Sequence, residues 1–210
     1  MIPRMERAAG PAARVLLDAV DSVLNSNTLL LVADIGEPIQ AQDPAAAVTA
    51  MIRDPAFGGL IATADADRGW GNWTVYDPEL RRYVPDPDRN PAHMARFDTT
   101  VTADPMDHAG FERHLRWLLT EAPSPYRTHL EPGTADRLIA EFCAEQLTDP
   151  DPAPWAFAAV RPDFLHDSGY YSGTPSGPAF YFDGAECDSC TAFHRTGDSI
   201  LHLLLTNGSP

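Results

Sequence analysis

Proline sets the outer limits on what this chain can fold into. The 210 residues include 20 prolines. Many stand directly behind an aspartate, at Asp43-Pro44, Asp77-Pro78, Asp104-Pro105 and Asp149-Pro150-Asp151-Pro152. Proline has a fixed φ and no amide proton, so it is excluded from helix interiors and central strands. Aspartate accepts hydrogen bonds from the amides that follow it, which caps helices and closes turns. Together they cut the chain into short elements and give much of its acidity a local role.

The stretches between these breaks carry readable periodicities. Leu16, Val20, Val23 and Leu24 recur at helical spacing and predict a helix ending near Asn25. Residues 28–35 form an apolar run, read as a buried strand. A short helix is expected after Asp43-Pro44, and a strand over residues 59–64. The segment NWTVYDPELRRYV reads as a hairpin turning at Asp77-Pro78, followed by a stiff acidic loop over residues 85–91. After the strand FDTTVTA, Asp104-Pro105 is read as the start of a helix with Phe111, Leu115, Leu118 and Leu119 on one face. Leu138, Ile139 and Phe142 mark another helix beginning near Thr134.

Beyond the proline-rich run, WAFAAV reads as a strand, and residues 179–182, 190–195 and 200–206 as a β-meander. If Gly197-Asp198 closes a two-residue loop, His194 pairs with Leu201 and Phe193 with His202, and the two imidazoles take opposite faces; a loop one residue longer would bring them to one face, and the sequence does not fix that register. The expected fold is α+β: a mainly antiparallel sheet with about four helices, packed on one side. It is read as a single domain over residues 1–210, with a subdivision into 1–149 and 155–210 at the proline-rich linker.

Charge and residue types narrow the chemistry. All 15 basic residues are arginine, which points to a GC-rich bacterial genome. Without lysine there is no Walker A loop, no Schiff-base or pyridoxal-phosphate chemistry and no kinase of the usual pattern. The formal net charge of −15 argues against nucleic acid and anionic lipid as partners. The N-terminal stretch carries Arg4, Arg7 and Arg14, and its apolar run, broken by Asp18, reads as an amphipathic helix rather than a secretion signal; three cysteines fit a reducing cytoplasm.

Two short motifs hold all three cysteines: Cys143-Ala144-Glu145, and Cys187-Asp188-Ser189-Cys190. A redox pair belongs at a helix N-terminus, but a strand is expected after Cys190. A zinc knuckle opening a hairpin fits better, with His194 and His202 as the nearest further ligands. Read from its helical stripe alone, Cys143 is a small apolar core residue. The two motifs together resemble the zinc-dependent nucleoside and nucleobase deaminases, in the branch with three thiolate ligands. The resemblance covers at most the last third of the chain. It implies Cys143, Cys187 and Cys190 as zinc ligands and Glu145 as the general acid/base beside a zinc-activated water.

Trp70 and Trp73 lie beside acidic loops, and tryptophan dominates binding hot spots, so both are candidate partner-binding residues. The leading expectation is a non-enzymatic acidic protein that binds a basic macromolecule, as immunity proteins and anti-effectors do, with no cofactor. The alternatives are a zinc enzyme of the deaminase type and a structural zinc on the C-terminal meander.

Overall fold

The computed structural model describes residues 5–8, 10–67, 74–85, 100–147, 154–162 and 186–208. Its central feature is a six-stranded sheet in the order β1-β2-β8-β7-β6-β5, antiparallel at every step. The strands are β1 (Met5–Arg7), β2 (Asn27–Asp34), β5 (Val101–Met106), β6 (Trp155–Pro162), β7 (Ser189–Arg195) and β8 (Ile200–Asn207). A separate hairpin joins β3 (Thr74–Asp77) to β4 (Arg82–Pro85). Five helices complete the described residues: α1 (Pro11–Leu24), α2 (Pro44–Arg53), α3 (Pro55–Asp67), α4 (His108–Thr120) and α5 (Thr134–Gln146). The architecture is α+β, and β5 to β8 run as a meander of sequential neighbours.

The helices cover both faces of the sheet, not one. Successive strand side chains alternate between faces. In β8, Leu201, Leu203 and Leu205 join a core with Val48, Met51, Phe57 and Ile61 of α2 and α3. Leu204 joins a second core with Leu16 of α1, Phe111 of α4 and Phe142 of α5. A strand buried on both faces reads as a continuous apolar run, so β2 and β8 carry leucine at consecutive positions. Because β2 lies between β1 and β8, the sheet draws strands from both ends of the chain.

Two element assignments change. Residues 59–64 belong to α3, not to a strand. A short apolar run does not distinguish the two by itself. Here Pro55 opens the helix and the Asp54 carboxylate accepts a hydrogen bond from the Ala56 amide (2.9 Å). Asp104-Pro105 does not start a helix but lies in β5, an edge strand, where a missing amide proton is tolerated. The helix begins at His108, capped by Asp107, whose Oδ1 accepts from the Gly110 amide (2.6 Å).

The other local signals agree with the structure. Helix α1 ends at Asn25 in the left-handed region (φ 53°). The hairpin register is Phe193 opposite His202 and His194 opposite Leu201. Gly197 supplies the positive φ (87°) that this tight turn requires. Trp70, Trp73, the strand over 179–182 and the acidic loop after Pro85 lie outside the described residues.

Candidate functional site

Cys143, Cys187 and Cys190 are all buried free thiols, but the fold does not gather them. Cys190 faces the α2–α3 core, while Cys187 and Cys143 belong to the core on the opposite face. Cys187 lies where β7 begins, close enough to Arg127 to feel its charge. Burial, with Asp188 adding, pushes its thiol up to about 11. Burial also raises the Cys190 thiol. Residues three apart on extended chain fall on opposite faces, and Cys187, in the turn before β7, and Cys190, within it, part in that sense. Both are kept as thiols rather than reactive thiolates.

Glu145 is turned away from Cys143. Residues two apart on a helix point about 200° from one another. The Glu145 carboxylate instead reaches the first turn of α1 and accepts from the amides of Ala12 (3.0 Å) and Ala13 (2.8 Å). Helix α1 has no cap of its own, since Gly10 occupies the N-cap position. Glu145 therefore caps it from a distant helix. Partial burial opposes ionisation there, but the two amides, Gln146 and Arg14 hold the carboxyl below its ordinary range.

The structure places different partners beside Cys143. His108 and Glu112 are one turn apart on α4, so they share a face. Phe111 of α4 packs on Phe142 of α5 (ring centroids 6.4 Å apart) and draws the two helices together. The Cys143 sulfur thereby meets His108 and Glu112, with one potential ligand atom from each within 4.8 Å of the others. His108 Nε2 lies 4.0 Å from Glu112 Oε1 and has no hydrogen-bond partner among the described residues. Burial, with Glu112 adding, pushes the Cys143 thiol up to about 12. The His-x-x-x-Glu spacing was visible in the sequence, but its third member lies on another helix.

Two further features could meet a ligand. An open cleft of about 380 Å3 lies between α4 and the sheet, lined in part by His114, Trp117, Arg161, Asp188 and Thr191. His114 stacks on Trp117 (5.7 Å, 23°). At one end of the sheet, the loop after β2 is tied to the β7–β8 turn. The Ile35 amide bonds Ser199 O (3.0 Å), the Ile39 amide bonds Asp198 O (2.9 Å), and the Gly197 amide bonds Ile39 O (2.9 Å). Those bonds hold Asp34 and Glu37 at the same end as Asp198, and Asp43 follows four residues beyond Ile39; all four are exposed. Ile200, opposite Asp34 in the register, is 37% exposed among them.

The chain matches no family model, no curated protein and no solved structure. What defines it is therefore its own architecture, an antiparallel sheet between two helical layers. No helix among the described residues is long and apolar enough to cross a membrane.

The buried imidazoles make stability sensitive to acid. Burial lowers both His114 and His202 to about 4, from an ordinary 6.5. Between those values the unfolded chain binds protons that the folded chain does not. Stability is therefore expected to fall as pH drops from about 6.5 to about 4, by up to ~1.4 kcal/mol per pH unit for each histidine. Urea midpoints measured across that window would show the loss, and a flat profile would contradict it.

Proposed function

We propose that this chain is a binding protein whose acidic sheet end recognises a basic macromolecular partner. The observation that carries the reading is that the loop after β2, with exposed Asp34, Glu37 and Asp43 on or beside it, is bonded to the turn that carries exposed Asp198, and that exposed Ile200 stands opposite Asp34 there. Backbone hydrogen bonds between two loops fix the scaffold beneath these side chains, so little ordering is left for the partner to impose. The excess of 30 acidic over 15 basic residues extends the same field over the molecule and favours fast encounter with a cation. An apolar residue inside a charged rim is the arrangement that binding surfaces use.

The reading is tested with a peptide that alternates arginine with leucine, titrated by calorimetry at low and at physiological salt. Binding is expected to weaken with salt. It is also expected to weaken by roughly tenfold or more when Asp34, Glu37, Asp43 and Asp198 are together changed to Asn or Gln. Glu121 and Glu131 follow α4 at the opposite end of the sheet, and neutralising them is the control. Equal losses from the two sets would mean undirected charge attraction and would sink the proposal.

A further inference from the structure

We infer that His108, Glu112 and Cys143 form a binding site for a divalent metal ion of the zinc class, with a coordination position left for water or a ligand. This inference is independent of the acidic end and uses none of its residues. The three side chains supply one nitrogen, one oxygen and one sulfur, all within 4.8 Å of one another. A tetrahedral zinc holds such atoms about 3.3–3.6 Å apart, given bond lengths of about 2.0 Å to nitrogen or oxygen and 2.3 Å to sulfur. The required contraction falls on the flexible members. The side chains of His108 and Glu112 are 29% and 38% exposed, so each can turn inward about its own torsions. Cys143 is 8% exposed and is held in the aromatic layer between α4 and α5.

The donor set selects the ion. Calcium and magnesium take oxygen ligands and avoid sulfur. A thiolate with an imidazole and a carboxylate suits zinc, and cobalt as its spectroscopic substitute. His108 Nε2 has no hydrogen-bond partner among the described residues and lies 4.0 Å from Glu112 Oε1, which leaves it available as a ligand atom. Three protein ligands make an open site rather than a closed structural one. Metal uptake forms the metal–sulfur bond as Cys143 Sγ releases its proton to solvent, with no change of oxidation state.

The test is a cobalt titration of the reduced, chelator-treated full chain, followed by absorption and by zinc competition. One equivalent is expected to bind, with a thiolate-to-cobalt charge-transfer band that zinc abolishes. Cys143→Ser should lose the band. His108→Asn and Glu112→Gln should each weaken binding by more than the roughly 10–100-fold that loss of an outer-shell partner costs. Cys187→Ser and Cys190→Ser should keep the band wherever circular dichroism shows the chain folded. No saturable uptake would overturn the site, as would a band that survives Cys143→Ser or vanishes in a folded Cys187→Ser or Cys190→Ser. If Cys143→Ser does not fold, the half-exposed Glu112→Gln decides, and unchanged affinity in that variant overturns the inference.

Discussion

Phe193→Ala is expected to destabilise the protein by about 3–5 kcal/mol, the range for truncating a fully buried aromatic side chain. Phe193 has no solvent exposure and sits on the face of β7 that packs against α1, α4 and α5. Its ring stacks on His202 (4.6 Å between centroids, 13° between planes) and tilts against Phe111 (5.1 Å). It also meets Trp155 (6.2 Å), Phe157 (6.3 Å) and Phe142 (6.4 Å). These neighbours come from α4, α5 and the flanking strands, so no one element can move in to fill the space. The cavity term therefore adds to the lost burial, and the aromatic contacts add about 0.5–1.5 kcal/mol per pair in favourable cases. Urea unfolding should show a lower midpoint at unchanged slope. Phe193→Leu, which keeps most of the volume, should recover much of the loss. A cost near 1 kcal/mol for alanine would mean that the aromatic layer repacks.

The second large effect is expected at Gly10. Its backbone is ordinary extended chain (φ −59°, ψ 146°), so conformational freedom is not why glycine stands there. The reason is room: a Cβ at this position would overlap the Glu145 carboxylate. Gly10→Ala should push Glu145 off the α1 amides, which leaves the helix start uncapped. Glu145→Ala should cost about the same, roughly 1–2 kcal/mol, as loss of an N-cap does. The two changes are then strongly non-additive, because once Glu145 is gone the added methyl meets no carboxylate. A double-mutant cycle measured by chemical denaturation decides this. Additive costs would show that the glycine and the carboxylate act separately. The Glu145 contribution carries a pH signature too. Its folded pKa is depressed, so the stabilisation is present above the ordinary carboxyl range and is lost as pH falls through the folded value.

Elements were legible where one local signal sufficed. The α1 stripe and the Asn25 end could each be read from a few consecutive residues, since side-chain period and turn chemistry are local properties, whereas the β7–β8 register stayed open between two loop lengths until the structure set Phe193 opposite His202. The reading failed where a neighbour decides. Residues 59–64 are apolar enough for either element, and packing of Phe57, Ile61 and Ala64 on the sheet settles them as helix. Pro105 looked like a helix start because its edge position in the sheet lies outside any sequence window. Covering both sheet faces also needs strand order, which no single run of leucines reveals.

The candidate site shows the same division. Sequence proximity linked Cys143 to Glu145 and Cys187 to Cys190, because motifs are read along the chain. The helix turn sends Glu145 to α1, and the turn before β7 leaves Cys187 and Cys190 in different cores. What the sequence determined alone was the inventory: short elements, no lysine, three thiols and a surplus of acid. Tertiary structure decided which of them meet. It brought Cys143 to His108 and Glu112, and Asp34 to Asp198, because helix crossing and strand order join residues that chain separation keeps apart.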